Sequence, residues 1–170
     1  MNARSRRSTR RLAAALAATA LVAGTAVAGA GAASATTYQY VESRTVSVPE
    51  SSAGVPVYLT VQRGDEVRVR CTGSVWGGWW GTGSNGPDGW ADRAPSTYPM
   101  PGTSGGRSFA ALLRFTDTGS SYVSAWRHGG TSSYHVAPYA ARLEMRVNDD
   151  RPGNGSGAFS CTLDRFRPVS

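Results

Sequence analysis

Residues 66–72 read EVRVRCT, with an apolar side chain at every second position. That period of two recurs along the chain, while the 3.6-residue period of a helix hardly appears. Alternation of this kind suits a strand half-buried against a core, because successive side chains leave the pleat on opposite faces. Segments 46–48 (VSV), 55–61 (VPVYLTV), 109–115 (FAALLRF), 121–126 (SYVSAW), 142–147 (RLEMRV) and 158–163 (AFSCTL) read as further strands. Residues 62–65 (QRGD) form a turn between two of them, with Gly64 free to take a positive φ, and the expectation is a hairpin. Seven strands parted by turn residues imply an all-β fold, an antiparallel β-sandwich.

The strands are preceded by a different kind of segment. Residues 1–11 (MNARSRRSTRR) hold five Arg and no acid, and residues 12–32 are rich in Ala, Gly, Leu and Val. A basic start, an apolar run and a small-residue Ala33-Ser34-Ala35 triplet have the form of a secretory signal peptide over 1–35. Cleavage there leaves residues 36–170 as a single domain and makes the protein secreted. A retained membrane anchor is the alternative for the apolar run, and residues 9–12 (TRRL) leave the twin-arginine and general export routes both open.

The leader also carries much of the charge. The whole chain has a formal charge of +7; without the first five Arg, thirteen Arg stand against eleven acids, a balance of +2. Nucleic-acid binding loses its electrostatic support, and stable membrane insertion of the secreted domain is not expected. Cys71 and Cys161 are the only cysteines. An even pair in an exported chain implies a disulfide, which would stabilise by roughly 4 kcal/mol on the chain-entropy view of so long a loop.

Two stretches stand outside the strand pattern. Residues 74–102 hold four of the five Trp together with seven Gly and four Pro, so this loop is either packed around its own rings or built for a ligand. Trp76, Trp79, Trp80 and Trp90 are the candidate rings, and Asp92 is a candidate partner for hydroxyl groups. The apolar face of a sugar ring stacks on an aromatic ring, and its hydroxyls want polar neighbours. Residues 147–160 (VNDDRPGNGSGAFS) are the second stretch. Asp149, Asp150 and Asn154 offer the carboxylate and amide oxygens that calcium prefers, and Gly and Pro let the carbonyls of a short loop turn inward. The spacing lacks the alternate acids of an EF-hand, and a plain Asx/Gly turn fits the same composition.

Residues 64–73 (GDEVRVRCTG), 85–89 (NGPDG), 136–138 (VAP) and 147–160 follow one another in the order and rough spacing of the LecA-type galactophilic lectins of bacteria, and the chain resembles that family from about Val55 to Leu163. The resemblance implies a β-sandwich of the galactose-binding, jelly-roll-like kind, one bound calcium ion that coordinates two hydroxyls of a galactoside, and no catalytic step. Asp149 falls on the family's bidentate aspartate and Asn154 on the first of two adjacent asparagine ligands. Gly155 stands where the second asparagine would be, and Asp150 is the candidate to replace it. Gly77 lies near the place where the first long loop gives a carbonyl to the metal, and Arg151 or Pro152 is the expected source of a second carbonyl. The family's sugar-contacting His and Gln have no counterpart, residues 94–98 (APSTY) occupying their place. The expectation is a secreted calcium-dependent carbohydrate-binding protein, with galactosides among the candidate sugars and a sugar of another shape open to the Trp-rich loop; the alternative is a secreted structural or interaction domain that keeps the fold, with or without calcium.

Two enzymatic constellations are weaker. Ser132 or Ser133 with His128 or His135 and Asp117 would make a hydrolase triad, but no nucleophile-elbow pattern surrounds those serines. Asp88 and Asp92 would make a glycosidase pair, on a loop without a cleft-forming second domain. The chain is therefore expected not to be an enzyme.

Overall fold

A computed structural model describes residues 36–90, 107–116, 121–125 and 133–169, all within the unit Ala35–Ser170. Eight strands are present there and no helix: β1 (Thr37–Pro49), β2 (Val55–Val61), β3 (Glu66–Trp76), β4 (Ala111–Phe115), β5 (Val123–Ser124), β6 (Ser133–Val136), β7 (Ala141–Val147) and β8 (Ser156–Val169). They form two four-stranded sheets, β1-β8-β3-β6 and β2-β7-β4-β5, with every pairing antiparallel. The expected antiparallel β-sandwich is the observed fold.

The alternation read from the sequence is the inside-outside pattern of these sheets. Val57, Leu59 and Val61 of β2 and Val67, Val69, Cys71 and Val75 of β3 are buried, with exposed or half-buried residues between them. They meet Leu113 and Phe115 of β4, Leu143, Met145 and Val147 of β7, and Phe159, Cys161 and Leu163 of β8 in one core. Each such aliphatic side chain contributes about 1.5–3 kcal/mol by leaving water. Cys71 and Cys161 stand opposite each other on β3 and β8 and are joined by a disulfide, as expected.

The expected hairpin between 55–61 and 66–72 does not form. β2 and β3 lie in different sheets, so residues 62–65 are a corner at which the chain crosses the sandwich. Gly64 does have a positive φ of 88°. The corner is fixed by partners far away in sequence. Gly64 donates its N–H to the Ala137 carbonyl at 2.8 Å, the Ala137 N–H donates to the Asp65 carbonyl at 2.8 Å, and the buried Asp65 carboxylate receives Arg165 Nε at 2.6 Å.

Strand β6 has no counterpart in the expected set. Its pattern is inverted, with Ser133 buried and Tyr134 and Val136 exposed, so an apolar-in reading passes over it. Residues 109 and 110 precede β4 instead of belonging to it: Phe109 has a φ of 62° and donates its N–H to the Asn148 carbonyl at 2.8 Å. A left-handed Phe is costly, and here it turns the ring under the corner that follows β3.

Candidate functional site

The loop between β7 and β8 is anchored from beneath. Asn148 donates its N–H to Ala110 O at 2.8 Å and its side-chain amide to Arg107 O at 2.8 Å. The Arg146 guanidinium, also buried, donates to the carbonyls of Val147 at 3.1 Å and Asp149 at 3.0 Å. These bonds hold the Asp149 backbone while leaving its carboxylate to other groups. Asp149 is 1% exposed; its Oδ1 accepts the Arg151 N–H at 2.9 Å, and its Oδ2, also buried, accepts no aligned donor.

The missing neighbour in the sequence reading is Glu50. It follows β1, is 1% exposed, and accepts the Gly153 N–H through both carboxylate oxygens at 3.0 and 3.2 Å. Its carboxylate lies beside that of Asp149. Burial pushes the Asp149 pKa up to about 6; the Arg151 N–H opposes this, and the Glu50 and Asp150 carboxylates add to it. Two ionised carboxylates are acceptors only, so each can satisfy the other only when a proton or a cation comes between them. Asp150 is turned outward, its Oδ2 3.8 Å from the exposed Arg151 Nε. Among the described residues no three His, Cys, Asp or Glu side chains gather as a metal-holding group.

The far wall is the corner after β3. A Cβ at Gly78 would sit 2.5 Å from Asn154 Oδ1, so the amide oxygen of Asn154 rests on the Gly78 backbone. A Cβ at Gly77 would be 2.0 Å from the Phe109 ring. At Gly155 it would be 1.8 Å from the Trp76 carbonyl oxygen, because Trp76 and Ser156 are paired across β3 and β8 and the strands close tightly there. The structure thus brings Asn154 and Gly155 against the 76–78 corner that carries Gly77. It also gives Gly155 a packing reason: the space an asparagine side chain would need is filled by backbone.

The tryptophans extend from this corner. Trp90 packs on the core and on Phe109, ring centroids 6.5 Å apart; Trp79 meets Trp90 edge-on at 5.7 Å; Trp80 lies 5.9 Å from Trp79 and is 86% exposed. Trp76 is 37% exposed and donates its indole N–H to the Trp79 carbonyl at 3.0 Å. Thr82 donates to that same carbonyl through its hydroxyl at 2.8 Å and its N–H at 3.1 Å. The row therefore begins in the core at Phe109 and ends in solvent at Trp80. Asp92, the 94–98 segment and residues 1–35, the expected signal peptide, lie outside the described residues.

For the alternative chemistries, Ser133 Oγ lies 3.0 Å from His135 Nε2 and also against the Ala125 carbonyl. Ser133 is 5% exposed, and the carbonyl, an acceptor only, takes the hydroxyl proton that a nucleophile would pass to the imidazole. Ser132, His128 and Asp117 are outside the described residues. Asp88 is half-buried in the 85–89 turn, where Gly89 N–H donates to Gly86 O at 2.9 Å.

Among solved structures, the chain is similar to the N-terminal domain of EclA, a PllA-like lectin, with a TM-score of 0.53 and 17% sequence identity over 74% of this chain and 97% of that one. At that identity the likeness is one of fold: this chain has the β-sandwich of a lectin domain. No protein-family model matches the chain, and no curated protein matches its sequence.

Proposed function

We propose that the protein is a secreted, calcium-dependent carbohydrate-binding module. The observation that carries this reading is the Asp149 carboxylate, buried with one oxygen that takes no hydrogen-bond donor and lying beside the Glu50 carboxylate, on the same loop whose Asn154 and Gly155 meet the 76–78 corner. The oxygen-rich surroundings suit a hard cation: Asp149, the Asn154 amide oxygen and backbone carbonyls near Gly77 are of the type calcium takes, with Arg151 or Pro152 as a further carbonyl source. When bound, calcium would neutralise the acids and offer open coordination positions to two neighbouring hydroxyls of a sugar.

The residues of the chain supply the rest of the recognition. Trp80 presents an indole face to solvent, held in place by Trp79 and Trp90 behind it. Such a face takes the apolar side of a pyranose ring, and Trp76 and Asp92 are the remaining candidates for sugar contact. The lectin-domain fold supports the class of ligand, and the packed Gly155 supports a sugar other than the galactosides of the LecA-type family. A glycan array run with calcium and with chelator tests the reading. Binding to a subset of glycans that is lost on chelation and in Asp149→Ala is expected; glycan binding indifferent to both would overturn the calcium dependence, and no glycan binding at all would leave the structural or interaction domain as the better description.

A further inference from the structure

We infer that Glu50 is a calcium ligand, forming with Asp149 a two-carboxylate clasp around one divalent ion. The inference deepens the calcium reading above and rests on it. Glu50 is fixed from both of its ends. Its N–H donates to the Gly157 carbonyl at 3.0 Å, which ties the end of β1 to the start of β8, and its carboxylate reaches into the 149–155 loop to accept the Gly153 N–H. One backbone donor leaves most of the acceptor capacity of a carboxylate unused. Asp149, on the same loop, likewise takes one backbone N–H and keeps a buried oxygen without a donor.

No Arg neutralises either acid among the described residues. Arg146, directly beneath, donates to the carbonyls of Val147 and Asp149, and the exposed Arg151 faces Asp150. Elsewhere the chain sets a guanidinium against its acids at Asp65, Asp164 and Glu144. Two neighbouring buried carboxylates that carry no guanidinium among the described residues need a shared proton or a cation between them, and a divalent cation from solution would answer both charges at once. Carboxylate, amide and carbonyl oxygens, with no thiolate or imidazole among them, select a hard ion of the calcium class.

Calorimetric titration of the metal-free protein with calcium chloride, followed by thermal unfolding with and without calcium, tests this for the wild type, Glu50→Gln and Glu50→Asp. The wild type is expected to bind one calcium per chain. Glu50→Gln keeps an oxygen for the Gly153 N–H but loses the charge, and is expected to bind calcium at least roughly tenfold more weakly. Its metal-free unfolding temperature should equal or exceed that of the wild type, since a like-charge contact is removed; a purely structural Glu50 would not give that combination. Glu50→Asp retains the charge with the oxygens drawn back by one methylene, and an intermediate affinity is expected, which keeps the test usable should Glu50→Gln not fold. Calcium affinities of both variants equal to that of the wild type would overturn the role of Glu50 and leave the calcium site standing. A wild type that binds no calcium would overturn the site itself.

Discussion

Asp65 and Asp149 are both 1% exposed, and the chain treats them in opposite ways. Asp65, at the corner between β2 and β3, accepts the Gln62 N–H at 2.8 Å, Arg165 Nε at 2.6 Å and lies 3.5 Å from Arg167 Nε. Its charge is balanced by residues of β8, and the Arg165 guanidinium is shared with Glu42 at 3.3 Å. Asp149 has one backbone donor, a carboxylate for a neighbour, and a guanidinium below it that binds backbone carbonyls. Burying a charge is tolerable when its counter-charge is built in and costly when it is not. The first arrangement ties the corner between β2 and β3 to β8; the second, on the function proposed, takes its counter-charge from solution.

The comparison can be broken or sharpened by experiments of decreasing expected size. Asp65→Ala leaves the buried Arg165 guanidinium with only the longer Glu42 contact and should lower stability by about 3 kcal/mol in urea denaturation, with or without calcium. Asp149→Ala should do the reverse in kind: little loss in the metal-free protein and no response to calcium. Equal losses from the two substitutions, both independent of calcium, would erase the distinction. Next, calcium at about a hundredfold excess over its dissociation constant should stabilise the wild type by about 2.7 kcal/mol, raising the unfolding temperature by several degrees; a rise below about 1 °C would mean that the Asp149 region is closed to the ion.

A smaller effect is expected where the two strands close. Gly155→Ala forces a Cβ into the Trp76 carbonyl and should cost about 1–3 kcal/mol, and Gly155→Asn should fail to gain a sugar contact for the same reason. The pH dependence follows from the direction of the Asp149 shift. Its pKa in the fold is raised from 3.8 to about 6, so the folded state holds its proton more tightly than the unfolded chain does. The metal-free protein should therefore keep this contribution below pH 3.8 and lose it as pH rises through about 6, while calcium affinity should rise over the same window. Denaturation midpoints between pH 3.5 and 7, with chelator and with calcium, would show the two trends crossing. Smallest of all, Trp80→Ala should alter stability by no more than about 0.5 kcal/mol, being a surface change, yet reduce glycan retention.

How much of this could be read from residues alone differs between fold and site. The apolar alternation of β2, β3, β7 and β8 was legible because burial on one face leaves a mark at every second residue. Strand β6 was not, since its buried positions hold Ser133 and its exposed ones Tyr134 and Val136. The corner at 62–65 looked like a hairpin because the decisive partners, Ala137 and Arg165, are about 70 and 100 residues away in sequence, and local composition carries no trace of them. Asp149 and Asn154 were visible through their Asx/Gly setting. Glu50 was hidden in a short PESSAG turn, which has the composition of any surface connection; only the ladder that lays β1 along β8 brings it to the 149–155 loop. The value of Gly155 was also read in part. Its lack of a ligand side chain is plain from sequence, but the backbone oxygen that forbids one is a property of the β3–β8 register.

That register has a consequence for the order in which the site is made. Pairing runs from Glu66 opposite Phe166 to Trp76 opposite Ser156 without a shift, and Cys71 and Cys161 sit at its midpoint. In the reduced chain, bringing Trp76 to Ser156 means closing a loop of about 80 residues. Once the cysteines are joined, the same meeting requires about ten, and a logarithmic closure cost then falls by about 2 kcal/mol. The crosslink therefore lowers the entropic cost of holding the end of the ladder closed, where Asn154 meets Gly78 just beyond the Trp76–Ser156 pair.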